Sequence, residues 1–392
     1  MPDFGATPLE QLLSITVTRR KLSIGLPAPL GALDKRFPLT PEAAGMLTEK
    51  GYNVRIEEGA ANSIHYPDIK YQQMGVDIVD RLEAFRSDIV ISLSPLSISD
   101  ARALRHGGLL FTLHDSIMEN REALAMLIRN GVTTIALDLI ADEERHKPFA
   151  DILAEISGRA AMAIASSLLA DAEHGKGILL GGIAGIVPCE VTIIGSGIDA
   201  CAAARSALGL GATVRMFDND VYRLRRAMRE MGSGIMGSAL HPRVLLGALR
   251  SADVVVASDV KPACVISHEV VREMKRGVIT FDLTNGSQPV FPSLRMVDLG
   301  KAHASDNNMD GARACYVNPG NAVPRTVAMA LSNSLLAMIS EIFTCDGISN
   351  ALMLNPGMQA AALTFMGKPV NAGVANAVGM RPVDIKLILQ FS

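Results

Sequence analysis

Two glycines and an acid carry the strongest chemical signal in this 392-residue sequence. The turn Gly195-Ser196-Gly197 follows an apolar run at 191–194 and precedes a small-residue segment at 200–208. A second apolar run, 212–217, closes on Asp218, 21 residues past Gly197. Strand, glycine turn, helix, strand and acid make the order of a dinucleotide-binding βαβ unit. Gly195 permits the tight turn, and Gly197 lets the backbone approach a pyrophosphate with no Cβ in the way. Ser196 and Ile198 complete the turn, and the helix N-terminus offers N–H groups and the positive end of its dipole. A carboxylate at Asp218 can accept both ribose hydroxyls of NAD and repel a 2′-phosphate. Arg223, five residues further on, can lie over the adenine. Ala200 stands where a third glycine is expected and is small enough for close helix–strand packing. The chemistry such a unit serves is hydride transfer, which belongs to the cofactor.

The rest of the composition narrows the function classes. Net charge is −3 with the signs interspersed, which argues against a nucleic-acid partner or a polybasic membrane patch. Trp is absent and aromatics are 4%, too few for a base-stacking platform. The five cysteines are odd in number and lack C-x-x-C spacing, so free thiols in a reducing cytoplasm are expected and a metal site is not. The N-terminus reads as no signal peptide. The apolar stretch 177–197 holds six glycines, Pro188 and Glu190, which disqualifies it as a membrane span.

Placing the turn requires the surrounding elements. Apolar runs at 22–26, 53–57, 76–78, 88–93, 108–113 and 133–138 read as strands, with helices between them at 41–51, 64–74, 79–85, 99–105 and 116–130. Thr40-Pro41-Glu42 is a helix start, with Thr as N-cap and Pro at the first position. A long helix at 151–173 leads into the glycine-rich loop 176–187 and the dinucleotide unit. After Asp218 come helices at 221–231, 242–249 and 267–274, and strands at 234–236, 253–256 and 278–283. A long helix at 325–342 returns the chain, and the last fifty residues read as shorter helices. Strand–helix alternation predicts an α/β protein of two doubly wound, Rossmann-like domains with parallel sheets, linked by long helices. Residues 1–150 with 325–392 form one domain, and 151–324 the inserted nucleotide domain. The strand ends of both sheets should face one cleft.

The segment GKGILLGGIAGIVPCEVTIIGSG, 175–197, resembles the signature of the alanine dehydrogenase and pyridine nucleotide transhydrogenase family. The run Arg36-Phe37-Pro38-Leu39-Thr40-Pro41-Glu42 resembles that family's arginine and helix start. Leu110-Phe111-Thr112-Leu113-His114 resembles its strand ending in histidine, and Ile156-Ser157-Gly158-Arg159 its interdomain helix. Phe281-Asp282-Leu283, then Tyr316-Val317-Asn318-Pro319 and Val323-Pro324-Arg325-Thr326, resemble its last cofactor strand and return loop. The likeness runs from about residue 22 to about residue 345.

The resemblance implies NAD-dependent oxidative deamination of L-alanine, or of a related small amino acid, to the 2-oxo acid. It implies a homo-oligomer, a hexamer or a dimer. Arg36 matches the arginine that binds the substrate carboxylate, and His114 the catalytic histidine. Ser258 and Asn318 match loops near the nicotinamide. Two positions depart from the family. Where its substrate lysine is expected the chain has Ser92 or Ser94, and where its catalytic aspartate is expected it has Asn285-Gly286. Ala154 replaces a serine. The alternatives are a member that binds NAD(H) without turnover, as a sensor or assembly subunit, and a scaffold with an empty cleft.

Overall fold

The structure is a computed structural model that describes residues 22–30, 35–284, 288–300, 314–344 and 348–390. Six strands open the fold: β1 (Ser23–Leu26), β2 (Asn53–Glu57), β3 (Asp77–Val79), β4 (Ile89–Ile91), β5 (Leu109–Thr112) and β6 (Thr133–Ala136). The helix Pro148–Ala170 then carries the chain across to a second sheet. That sheet holds β7 (Glu190–Ile194), β8 (Thr213–Phe217), β9 (Ile235–Ser238), β10 (Val254–Ala257), β11 (Ile279–Asp282), β12 (Arg295–Asp298) and β13 (Ala314–Val317). The helix Pro324–Thr344 returns the chain, and β14 (Ala362–Phe365) and β15 (Lys368–Pro369) extend the first sheet.

The sheet orders are β15-β14-β6-β5-β4-β1-β2-β3 and β12-β13-β11-β10-β7-β8-β9. In each, the chain winds one way from its first strand, then crosses back and winds the other way. The switch points lie between β1 and β4 and between β7 and β10, where open α/β sheets bind ligands outside the strand ends. The central strands β4, β5, β6, β10 and β11 are buried along their whole length. Helices cover both faces, so these strands are buried at every position rather than at alternate ones.

Three departures from the sequence reading have physical reasons. The helix expected over 116–130 is two helices, His114–Met118 and Arg121–Arg129. Asn120 divides them, because its side chain caps the second by accepting the Ala123 N–H at 3.1 Å. The last fifty residues are not all helical. β14 and β15 form an antiparallel hairpin joined by Met366-Gly367, both at positive φ, and β14 pairs antiparallel with β6. The first sheet is therefore mixed at one edge. β12 and β13 extend the second sheet beyond β11, where strand–helix alternation alone marked no strand because the two are short and the chain between them shows no helical pattern.

Pro148–Ala170 joins the two halves mechanically. Phe149 and Ile156 enter the core of the first sheet, and Ala161, Ala165 and Leu169 enter the core of the second. Against the helix Ile198–Gly209 the fit is tight: a Cβ on Gly158 would stand 2.0 Å from the Asp199 carbonyl oxygen. Among the described residues this is the one helix long and apolar enough to cross a membrane by length and composition.

A cleft between two sets of strand ends

One cleft of about 790 Å³ lies between the two sheets. Its walls are residues that follow strand C-termini: Arg36 beyond β1, Pro95 beyond β4, His114 beyond β5 and Asp138 beyond β6. Facing them are Gly197 beyond β7, Ser258 beyond β10, Leu283 beyond β11, Asp298 at the end of β12 and Asn318 beyond β13. The topology thus delivers residues from nine strand ends to a shared space.

At the nucleotide end, Gly195 has φ +104°, a left-handed conformation that glycine alone adopts without strain, and its N–H bonds the Phe217 carbonyl at 2.7 Å. Gly197 caps the helix Ile198–Gly209. A Cβ there would meet Asp199 Oδ1 at 2.8 Å, Arg223 Nη2 at 3.2 Å and Ser258 Oγ at 3.3 Å. The missing side chain is therefore a cradle with a cation on one side. The first helical turn leaves backbone N–H groups without intrahelical partners, the donors a pyrophosphate takes. These residues fit a dinucleotide. Ser258 is buried and donates its hydroxyl to Asp199 Oδ1 at 2.7 Å. Burial pushes the Asp199 carboxyl up, against the pull of Ser258 and the Ala200 N–H.

Arg223 points to the glycine turn, whereas Arg225, Arg226 and Arg229 on the same helix are exposed. Ile198 is exposed at the helix start. Asn318 sits in the left-handed region and donates Nδ2–H to Asp298 Oδ2 at 3.0 Å. Asp218 does not reach the cleft wall. It is fully buried, with Oδ2 accepting the Ser196 hydroxyl at 2.5 Å and Oδ1 accepting the Asp220 N–H at 2.8 Å.

At the opposite end, the His114 backbone N–H donates to Asp138 Oδ1 at 2.8 Å, and both residues, which follow the neighbouring strands β5 and β6, line the cleft. His114 Nδ1 lies 3.1 Å from Asp115 Oδ1. Burial pushes the Asp138 carboxyl up, and the His114 N–H only partly offsets it. Arg36 shares this wall with Lys147, which precedes Pro148 at the N-terminus of the crossing helix. The loop leading to Arg36 is tied down from below. Glu57 accepts the Ala28 N–H at 2.7 Å, and Arg81 bridges Glu57, the Ala28 carbonyl and both oxygens of Asp100.

Ser92 and Ser94 are buried and turned inward; Ser94 Oγ accepts the Leu30 N–H at 3.2 Å. Asn285 lies outside the described residues. Asp282 folds its own loop, accepting the Thr284 and Val290 N–H groups. Asp138, Lys147 and Asp199 were not singled out from sequence. For Asp138 a signal existed, because the apolar run 133–138 ends on it just as the preceding strand ends on His114. Lys147 and Asp199 carry no local signal. Among the described residues, no three His, Cys, Asp or Glu side chains gather as metal ligands do.

Two mostly parallel doubly wound sheets sharing one cleft define a two-domain, Rossmann-like α/β protein. The N-terminal domain profile of the alanine dehydrogenase/PNT family matches residues 26–160, and its C-terminal domain profile matches residues 161–372. The chain belongs to that family. It is 27% identical over 384 residues to the alanine dehydrogenase of Staphylococcus saprophyticus, covering 94% of this chain and 100% of that one. A solved L-alanine dehydrogenase superposes with a TM-score of 0.81 at 25% identity, covering 91% of this chain and 99% of the other. The transhydrogenase of Sinorhizobium meliloti shares the fold, with a TM-score of 0.73 at 18% identity and coverage of 89% and 100%.

Proposed function

We propose that the protein is an NAD-dependent oxidoreductase that interconverts a small 2-amino acid, L-alanine or a close relative, and its 2-oxo acid. The observation that carries this reading is the cleft in which Arg36, His114, Asp138 and Lys147 share a lining with the glycine turn. Bound nicotinamide supplies the hydride acceptor. Arg36 grips the substrate carboxylate with its planar fork. Lys147 supplies the second positive charge, from a different segment than the loop that ends in Ser92 and Ser94. His114 and Asp138 handle the protons. Amino acid, oxidised nicotinamide and water give oxo acid, ammonium, reduced nicotinamide and one proton. Both side chains line the cleft, and an imidazole and a carboxyl are the groups that general acid–base chemistry uses.

On this reading residues 1–150 and 325–392 form the substrate domain, and 151–324 the nucleotide domain. Cys189, Cys201, Cys264 and Cys315 are free thiols, which accords with a cytoplasmic setting, and a homo-oligomer follows from the family. The test is NADH oxidation by the purified protein with ammonium and a panel of small 2-oxo acids. Saturable turnover that needs both co-substrates supports the reading. The buried, inward-facing Ser92 and Ser94 favour a second reading, a nucleotide-binding member without turnover. Its signature is NADH binding with no oxidation across the panel.

A further inference from the structure

The carboxylate at the end of β8 is closed off by its own neighbours. Asp218 is fully buried, and both of its oxygens are engaged, one by the Ser196 hydroxyl at 2.5 Å and one by the Asp220 N–H at 2.8 Å. Its own N–H bonds the Ser238 carbonyl of β9 at 3.2 Å, so the backbone is held on the other side as well. An acid that selects NADH must present free lone pairs to the ribose diol. Here the middle residue of the glycine turn has taken one of those positions. Ser196 is the only member of Gly195-Ser196-Gly197 with a side chain, and that side chain points at the acid rather than into the cleft. Meanwhile Arg223 stands beside Gly197, and among the described residues it has no carboxylate partner. Its charge favours the phosphates of either nucleotide.

We propose that Ser196 sets the nucleotide choice of this chain: its hydroxyl occupies the carboxylate that would otherwise hold the ribose diol, so NADH and NADPH bind with affinities within about tenfold of each other. The inference rests on reading the cleft as a nucleotide site. It deepens that reading by naming the residue that sets the preference.

The test is calorimetric titration of the intact protein with NADH and with NADPH, wild type beside Ser196→Ala and Ser196→Gly. Wild type is expected to bind both. Each variant removes the hydroxyl, and is expected to tighten NADH about tenfold, a charge-assisted hydrogen bond's worth, while NADPH does not tighten because the freed carboxylate repels its 2′-phosphate. In the Ser196→Ala background, Asp218→Asn is expected to erase the gain. Two variants of different size keep the test open if one fails to fold. The inference is overturned if either folded variant leaves the NADH/NADPH ratio at the wild-type value. It is equally overturned if NADH weakens, the result expected of a hydroxyl that turns to the ligand. Binding of neither nucleotide by any of the proteins removes the nucleotide reading, and this inference with it. A measured ratio that does not move removes the inference alone.

Discussion

The two ends of the cleft are built by different means. The nucleotide end is made of backbone: a glycine turn at positive φ, a helix N-terminus and a cradle defined by an absent Cβ. The substrate end is made of side chains brought from far apart in the chain: Arg36, His114, Asp138 and Lys147. Backbone sites tolerate little change of residue type, because conformation itself is the requirement. Side-chain sites can lose a charge in one loop and gain one from another, as long as the new group reaches the same space. On the proposed reading, the serines at 92 and 94 and the lysine at 147 are the two sides of such an exchange.

The largest effect should come from breaking the backbone end. Gly195→Val forces a branched side chain into a left-handed conformation, with its Cβ 3.0 Å from that of Ser258. NADH affinity should fall about a thousandfold, the sum of strain and clash; calorimetry reads it. The floor of the substrate end comes next. Arg81→Met strips the partner from Asp100 and Glu57 and should cost about 3 kcal/mol in a denaturant titration at neutral pH. Burial pushes the Asp100 carboxyl up, but the bonds from Arg81 and Ser97 outweigh it and hold it below the ordinary carboxylate range. Its stabilisation is therefore complete above about pH 4 and lost as pH falls through the folded-state value. The gap between wild type and Arg81→Met should close under acid.

Arg36→Met should lower kcat/KM for the oxo acid about 100-fold and leave NADH affinity unchanged, because it removes a charge from one end only. A matching loss of NADH affinity would merge the two ends into one. Lys147→Met should raise KM for the oxo acid about tenfold with kcat little changed, the smaller effect of an exposed cation. An unchanged KM would remove Lys147 from the exchange.

What could be read from sequence follows the same division. The βαβ unit around the glycine turn was legible almost to the residue, since strand, turn and helix each leave a local pattern: β8 spans Thr213–Phe217 and the helix after Asp220 spans Val221–Met231. The two-domain fold was legible from alternation. The burial of Asp218 was not, because it depends on a hydrogen bond between residues 22 apart in sequence. The edge strands β14 and β15 were missed because pairing with β6, including Thr364 Oγ1 to the Val132 carbonyl at 2.8 Å, overrides a weak local pattern. Lys147 was invisible because only the folded chain brings the start of a helix to the wall that holds Arg36.

The most direct measurement of the central claim follows the hydride itself. The protein is incubated with ammonium, a panel of small 2-oxo acids and NADH deuterated at C4, each C4 epimer in turn, and the amino acid product is weighed by mass spectrometry. The expected result is one deuterium on the product from one epimer and none from the other, lost in Arg36→Met. No labelled amino acid from either epimer, in protein that binds NADH, would contradict the claim and leave the cleft a nucleotide site alone.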